Sequence, residues 1–219
     1  MVEISASILD VKEEESAKTF YNLEVAKIDY FHIDVMDGKF VEKNTVDKMN
    51  KYSNILKQIT TLPLDIHLMV EDVETYVKLY SAIEPNMITF HIEALKDKEK
   101  TYEMIKLIKE NNCKVGIAIK PSTEAKEVYE FLPYINTVLV MTVEPGKGGQ
   151  TLIPETLRKV KILKEYIKQN KLDTYIEADG GINLDTIEEV KSAGVDIAVV
   201  GNGILKTEDF KMTVSKLKK

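Results

Sequence analysis

The stretch TVLVMTVEPGKGGQTLIPETLRKVKILKEYI, residues Thr137–Ile167, carries the pattern from which the fold follows. It begins with a short run of β-branched and apolar residues, which is typical of a buried strand. A glycine-rich loop comes next, and then apolar residues recur at helical spacing, at Leu157, Val160, Leu163 and Ile167. The stretch therefore predicts a strand, a loop and an amphipathic helix, which together form one βα unit.

The same order of strand and helix recurs along the chain. Eight runs have the composition of buried strands, and they start near Glu3 (EISASIL), Asp29 (DYFHIDVM), Leu64 (LDIHLMV), Met87 (MITFHIE), Lys114 (KVGIAI), Thr137 (TVLVMTV), Thr174 (TYIEAD) and Asp196 (DIAVVG). Strands that alternate with helices form parallel sheets, and eight such units close into a barrel. The alternative, an open doubly wound sheet, has typically about five or six strands. We therefore predict an α/β fold, a (β/α)8 TIM barrel, as a single domain over residues 1–219.

Three local signals predict where helices begin. Pro154 is placed to open the first turn of the helix that runs to Ile167. Ser122–Thr123 precedes an acidic segment, and Asn183 precedes the run LDTIEEV, so both are expected to lie at helix N-termini.

Charge and composition exclude several classes of partner. The chain has 30 basic and 36 acidic residues and a formal charge of −6, which is not the basic footprint of a nucleic-acid-binding protein. A phosphate ligand is compatible with this charge, because backbone amides and helix N-termini bind phosphate. The lone cysteine, Cys113, suits a reducing compartment, and the segment MVEISASILD lacks the features of a signal peptide. We predict a cytoplasmic protein with no nucleic-acid and no membrane partner.

Polar residues late in the predicted strands mark a candidate metal site. His32 and Asp34 lie two apart and therefore share one strand face, His67 has a comparable place in the third strand, and Asp179 ends the seventh. Two imidazoles and two carboxylates at one end of a barrel suit a divalent metal. The alternative is that each histidine is a hydrogen-bonded core residue, and we assign that role to His91.

Glycine-rich loops indicate a phosphate site. Three glycines fall within Glu144–Gln150 after the sixth strand, Gly180–Gly181 follow the seventh, and Gly201–Asn202–Gly203 follow the eighth. Loops after strands seven and eight of such barrels often bind phosphate, although turns also use glycine for their own geometry. Neither a Walker loop nor a dinucleotide fingerprint is present. Met36, Met69 and Met141 end three strands, where they either fill the core or line the site.

Several segments resemble the ribulose-phosphate 3-epimerase family, in order and from about Ile4 to Ile204. They are SASIL (Ser5–Leu9), FHIDVMDGKFV (Phe31–Val41), LDIHLMVE (Leu64–Glu71), TFHIEA (Thr89–Ala94), MTVEPGKGGQ (Met141–Gln150) and DGGIN (Asp179–Asn183). The resemblance implies a barrel that epimerises ribulose 5-phosphate to xylulose 5-phosphate, a step of the pentose phosphate pathway, and that forms a homo-oligomer. It also implies one divalent metal ion, zinc in the first place, with iron, manganese or cobalt as other occupants.

The resemblance further implies roles for individual residues. His32, Asp34, His67 and Asp179 match the metal ligands, and Asp34 and Asp179 also match the acid/base pair. The positions that match substrate contacts or the segments around the substrate are Ser7, Met36, His67, Met69, Met141, Gly146, Lys147, Gly148, Gly149, Asp179, Gly180, Gly181, Gly201 and Asn202.

The chain departs from the family pattern at Lys147, where Phe is usual, at Glu42–Lys43, where Pro-Asn is usual, and at Ala178 and Asn202. None of these removes a proposed ligand, acid or base. They leave open whether the substrate is the pentose or allulose 6-phosphate, the substrate of the nearest related epimerase.

The implied mechanism is removal of the C3 proton by one aspartate and its return by the other through an enediolate that a metal stabilises. A decarboxylase or aldolase on a related barrel is the alternative enzyme class, but its D-x-K-x-x-D motif is absent from the sequence. A non-catalytic sugar-phosphate-binding barrel is a further alternative, and it would not need all four polar side chains.

Overall fold

Eight parallel strands form a closed barrel in chain order in the computed structural model, which describes residues 1–95 and 97–219. The strands are β1 (Glu3–Ser7), β2 (Tyr30–Met36), β3 (Leu64–Met69), β4 (Met87–His91), β5 (Lys114–Ile119), β6 (Thr137–Met141), β7 (Tyr175–Asp179) and β8 (Ile197–Val200). Each predicted strand run contains one of them, so the barrel predicted from the sequence is confirmed.

Helices surround the barrel and follow most of the strands. They are α1 (Ser16–Val25), α2 (Val46–Ile59), α3 (Val73–Ser81), α4 (Lys98–Glu110), α5 (Thr156–Gln169), α6 (Ile187–Ala193), α7 (Asn202–Leu205) and α8 (Phe210–Lys218). Four short 3-10 helices complete the described elements, at Glu13–Glu15, Ile92–Ala94, Ala125–Val128 and Leu132–Tyr134. Among the described residues, no helix combines the length and the apolar character needed to cross a membrane.

The helix predicted after Ser122–Thr123 is replaced by two 3-10 helices, Ala125–Val128 and Leu132–Tyr134. The reason is that other groups hold this loop. The Thr123 hydroxyl donates to Glu93, and the Lys159 ammonium donates to three backbone carbonyl oxygens of residues 120, 121 and 123. These contacts tie the loop to the 3-10 helix Ile92–Ala94 and to α5 before a longer helix can start.

Two other helices begin later than predicted. The helix after the sixth strand starts at Thr156, and Pro154 lies in the turn before it. The helix after the seventh strand starts at Ile187, because Asn183 makes a turn of its own. Its side chain accepts a hydrogen bond from the Asp185 N–H at 2.8 Å, and its own N–H donates to the Thr186 hydroxyl at 3.0 Å.

The two faces of the strands differ in kind. On the outer face, apolar side chains such as Ile33, Val35 and Ile66 belong to one hydrophobic core that includes residues of the helices. The inner face carries several polar side chains that are 0% exposed, namely Ser5, His32, Asp65, His67, Thr89 and Glu177. Barrels of this kind usually fill their interior with branched apolar residues. Buried polar groups need partners, so this interior requires compensation.

At the amino-terminal end of the barrel, the same side-chain-to-backbone hydrogen bond recurs between three pairs of neighbouring strands. Asp29, Asn136 and Asp196 each stand directly before a strand and accept a hydrogen bond from the second N–H of the preceding strand. The donors are Ile4, Val115 and Ile176, and the distances are 2.7, 2.9 and 2.8 Å. Each contact satisfies a backbone group that the sheet itself leaves unpaired.

We expect Asp196→Ala to lower the free energy of unfolding by about 1–3 kcal/mol, since it leaves the partly buried Ile176 N–H without an acceptor. Asp196→Asn keeps an acceptor and loses only the ion pair with Lys164, which is partly exposed and has a length of 2.6 Å. The free energy of unfolding of that variant should fall by less than about 1 kcal/mol. Urea unfolding of both variants checks this, and equal losses would contradict the role of the hydrogen bond.

Candidate metal centre and substrate cavity

Strand register brings the four predicted ligands together at the carboxyl end of the barrel. His32 on β2 is opposite Asp65 on β3, Asp34 is opposite His67, and Asp179 on β7 follows the same inner face. One donor atom from each of His32, Asp34, His67 and Asp179 lies within 4.8 Å of the others. His32 Nε2 is 3.4 Å from Asp34 Oδ1 and 3.9 Å from Asp179 Oδ2. His67 Nδ1 is 3.5 and 3.6 Å from the same two oxygens.

The two imidazole nitrogens that face these carboxylates fit a metal ion. Within the described residues, His32 Nε2 and His67 Nδ1 are buried and have no hydrogen-bond partner. A core histidine would satisfy both ring nitrogens, whereas a metal ligand keeps one lone pair free. The other ring nitrogen of each histidine does have a partner, as described below. The set of two nitrogens and two carboxylate oxygens can therefore hold a divalent cation.

Asp65 and Glu177 lie beneath this cluster, and the sequence analysis did not select them. His32 Nδ1 is 2.6 Å from Asp65 Oδ2, which also accepts from the Ser5 hydroxyl at 2.8 Å. Glu177 Oε1 lies 3.8 Å from the same His32 nitrogen. Burial and the Asp65 carboxylate raise the pKa of Glu177 well above its usual range. Asp65 and Glu177 stand two residues before His67 and Asp179, so the alternation that paired His32 with Asp34 could have found both.

His91 is buried and hydrogen-bonded, as we predicted, but it also touches a proposed ligand. Its Nε2 lies 3.0 Å from His67 Nε2, and its Nδ1 lies 3.0 Å from Glu93 Oε2. Burial lowers the pKa of His91 to about 4, so the ring is neutral at pH 7. Burial works against the charge of Glu93, yet the hydrogen bonds from His91, the Lys120 N–H and Thr123 bring its pKa to about 2.

The carboxylates and imidazoles of the centre shift one another's pKa. Burial opposes ionisation of Asp34, but the adjacent His32 and His67 rings hold its pKa well below the usual range. Burial likewise opposes protonation of both rings. Asp65 and Asp34 nevertheless raise the pKa of His32 well above its usual value, and Asp179 and Asp34 raise that of His67. A cation that binds here therefore competes with protons for the ring nitrogens.

A cavity of about 270 Å³ opens above the four ligands. Asp34 and Asp179 reach its lining, whereas His32 and His67 are completely buried at its base. The Ser7 hydroxyl donates to Asp34 Oδ2 at 2.7 Å, which leaves Asp34 Oδ1 to face the imidazoles. The other predicted substrate positions all line the cavity, namely Met36, Met69, Met141, Gly146, Lys147, Gly148, Gly149, Gly180, Gly181, Gly201 and Asn202.

Two glycines of the rim permit close packing that other residues would prevent. Gly180 and Gly181 have φ values of 122° and 70°. A Cβ atom would lie 2.3 Å from a Val143 methyl at Gly180 and 2.2 Å from the Leu152 backbone nitrogen at Gly181. The backbone amides of this loop can thus approach a ligand closely.

Asp10 is a further lining residue that the sequence analysis missed. Its carboxylate accepts a hydrogen bond from the Asn202 amide at 2.8 Å, and it lies against Gly148, where a Cβ would be 2.3 Å away. The contact joins the loops after β1, β6 and β8. No pattern in the sequence marks Asp10, because its partners are distant along the chain.

Three of the residues that depart from the family pattern, Glu42, Lys43 and Lys147, lie together at the edge of the cavity. Lys147 is exposed and lines both the cavity and a neighbouring groove of about 680 Å³. Glu42 and Lys43 line that groove too, together with Lys120. These departures therefore change the charge of the entrance and leave the metal ligands untouched.

Sequence comparisons with known proteins match this chain to one enzyme family. The family model described as Ribulose-phosphate 3 epimerase family matches residues 3–205. A ribulose-phosphate 3-epimerase of Methanocaldococcus jannaschii is 37% identical over 218 residues, which cover 100% of this chain and 90% of that protein. One of Escherichia coli K12 is 34% identical over 209 residues, which cover 94% and 88%. The crystal structure of a 3-hexulose-6-phosphate synthase matches with a TM-score of 0.74 over 99% of this chain and 98% of that one, at 14% identity, which shows the fold alone.

We expect zinc binding to the metal-free protein to release protons, because the neighbouring carboxylates raise the pKa of both His32 and His67 against the effect of burial, and a metal ion binds only an unprotonated ring nitrogen. Affinity should therefore weaken as pH falls from about 8 to about 6, by up to about tenfold per pH unit for each proton displaced. Calorimetry in two buffers of different ionisation enthalpy counts the protons. An affinity that does not change with pH, after correction for the buffer, would contradict this arrangement.

Proposed function

Because the chain belongs to the ribulose-phosphate 3-epimerase family and is an isomerase, we propose that it interconverts D-ribulose 5-phosphate and D-xylulose 5-phosphate in the pentose phosphate pathway. The observation that carries the proposal is the placement of Asp34 and Asp179. They come from different sides of the barrel, on β2 and β7, and each has a carboxylate oxygen within 4 Å of the same two imidazoles. Epimerisation requires a base and an acid on opposite faces of one carbon, and two such carboxylates meet this requirement.

The proposed reaction begins when an ionised aspartate takes the proton from C3. The electron pair of the broken C–H bond forms the C2–C3 double bond, and the carbonyl pair moves to the C2 oxygen, which gives an enediolate. The carbonyl then re-forms, and C3 takes a proton from the other aspartate on the opposite face. One carboxyl ends protonated and the other ionised, so the two exchange roles in the reverse direction.

The surroundings of Asp34 suit the base. Its lowered pKa keeps it ionised at neutral pH, and the hydrogen bond from Ser7 fixes its orientation. The Met36, Met69 and Met141 side chains are nearly completely buried in the cavity wall, where they limit the access of water to the reacting carbons. Positioned acid–base groups contribute about 10²–10⁴-fold to rate, so positioning and charge stabilisation supply the remainder.

We further propose that His32, Asp34, His67 and Asp179 hold one divalent metal ion. A bound cation supplies Lewis-acid stabilisation of the negative charge that develops on the substrate oxygens. The mixed nitrogen and oxygen donors favour zinc, and iron, manganese and cobalt accept the same donors. The two unpartnered nitrogens support this assignment.

The phosphate group is proposed to bind at the glycine-rich rim. Gly180, Gly181 and Gly201 present backbone amides at the cavity, and Asn202 adds a side-chain donor at the start of α7. The loop from Gly146 to Gly149 covers the same region, and Lys147 places a positive charge beside it. A cytoplasmic location and assembly into a homo-oligomer stay predictions of the sequence and of the family resemblance.

The two-aspartate scheme predicts opposite patterns of proton exchange for two variants. In D2O, we expect Asp179→Asn to lose epimerisation while one epimer still exchanges its C3 proton, and Asp34→Asn to leave exchange only in the other epimer. The reason is that each variant keeps one of the two bases. NMR of each sugar phosphate after incubation, with metal content measured in parallel, checks the prediction. Asp185→Asn, an exposed change in the same loop, is the control and should keep full activity. Exchange of the same epimer in both variants would contradict the scheme.

Substrate choice is tested by direct comparison. We expect turnover of D-ribulose 5-phosphate to exceed that of D-allulose 6-phosphate by at least about tenfold in kcat/KM, a difference of about 1.4 kcal/mol in transition-state binding. The physical reason is that the phosphate and the reacting carbon are held at fixed points of one small cavity, so an added carbon strains one of them. A preference for the hexose would assign the enzyme to the allulose phosphate instead.

A further inference from the structure

Behind His67, a chain of three side chains leads away from the metal centre. His67 Nε2 lies 3.0 Å from His91 Nε2, and His91 Nδ1 lies 3.0 Å from Glu93 Oε2. Both rings are 0% exposed, and their centroids are 5.1 Å apart. The two rings are therefore out of contact with bulk water, and a hydrogen bond that one ring donates must be accepted within the chain of side chains.

The far end of the chain sets the direction of every hydrogen bond in it. An ionised carboxylate can only accept hydrogen bonds. Glu93 accepts from the Lys120 N–H at 2.7 Å and from the Thr123 hydroxyl, so it must also accept from His91 Nδ1–H. A neutral His91 then has a lone pair on Nε2, which accepts from His67 Nε2–H. A neutral His67 ring, the form that binds a metal, then has its lone pair on Nδ1, the atom that faces Asp34 and Asp179.

We propose that Glu93 and His91 are positioning residues, which keep the His67 proton on Nε2 so that Nδ1 is the metal-binding nitrogen. The proposal rests on the metal site of the proposed function. It differs from the arrangement at His32, where Asp65 contacts the ring directly at 2.6 Å. In metal sites, such outer partners fix the tautomer and orientation of a ligand, and their loss typically costs about 10–100-fold in metal affinity.

Neighbouring loops hold this chain rigid. Lys159 donates to three carbonyl oxygens of the loop that carries Thr123, at 2.8, 2.6 and 2.6 Å. The Phe40 ring lies 4.9 Å from the His91 ring, and the Lys120 ammonium lies 3.9 Å from the Phe40 centroid. The outer end of the chain is thus tied to the loops after β2 and β5, and Glu93 cannot turn away without breaking several contacts.

Glu93→Gln tests the proposal with almost no change in shape. The glutamine oxygen can satisfy the Lys120 N–H and Thr123, which turns its NH2 group toward His91 Nδ1. His91 would then carry its proton on Nε2, where it opposes the His67 Nε2–H that zinc binding through Nδ1 requires. Two measurements without substrate follow: the ring tautomer of His91 by long-range 1H–15N NMR of the metal-free protein, and zinc affinity by competition with a chromophoric chelator.

In the unaltered protein, we expect His91 with Nδ1–H. In Glu93→Gln, we expect Nε2–H and a zinc affinity lower by about 10–100-fold. Glu127→Gln, the same change of charge at an exposed site of the 3-10 helix Ala125–Val128, is the matched control and should bind zinc normally.

Nε2–H on His91 of the unaltered protein overturns the proposal even if Glu93→Gln does not fold. A changed tautomer without loss of affinity overturns it too, as does a loss of affinity without a changed tautomer. The protein could instead fail to epimerise either sugar while Glu93→Gln still changes the His91 tautomer and lowers the zinc affinity. That result would contradict the proposed function and leave the positioning role of Glu93 and His91 intact.

Discussion

Burial of charge inside a closed barrel is the constraint on which the rest of this structure depends. The interior of β1 to β8 holds two histidines and four carboxyl side chains close together, at His32, Asp34, Asp65, His67, Glu177 and Asp179. Ions in such a place are costly unless they are paired and hydrogen-bonded. Neighbouring features meet that requirement: the carboxylates that face the rings, the hydrogen bonds on the outer ring nitrogens, and the two inner nitrogens, which have no hydrogen-bond partner among the described residues and can bind a cation.

The groups that compensate the buried charges lie at two levels along the barrel axis. At the top, Asp34 and Asp179 face the cavity and share two imidazoles, the arrangement from which we propose both cation binding and proton transfer. Below it, Asp65 and, through His91, Glu93 each fix one ring by its far nitrogen. Because the far nitrogens are occupied, the near ones can only face the centre. The ligand geometry is therefore a property of the strands and not of mobile loops, which favours precise placement of the reacting groups.

The loops at the rim of the cavity add contacts and charges around its entrance. Positive φ values at Gly180 and Gly181, and contacts that leave no room for a Cβ atom, bring backbone amides to the cavity. The Asp10–Asn202 hydrogen bond joins loops from the two ends of the chain, and Lys147 brings a charge where the family usually has an aromatic ring. Under the proposed function, the two reacting carboxylates thus lie on the strands, whereas the proposed phosphate site lies in the loops.

The sequence alone determined the eight strands, the barrel and the residues His32, Asp34, His67 and Asp179, because alternation along a strand is a local property that fixes which side chains share a face. The family resemblance, not the spacing, selected a metal site over a pair of core histidines. Only the tertiary structure decided that His32 Nε2 and His67 Nδ1 lack hydrogen-bond partners among the described residues, that Glu93 reaches His67 through His91, and that Asp10 contacts Asn202. It also replaced the helix predicted after Ser122–Thr123 by two 3-10 helices and placed the starts of the helices predicted at Pro154 and Asn183. These contacts join residues that are distant in the chain, and their geometry is set by barrel closure and register, which no local pattern encodes.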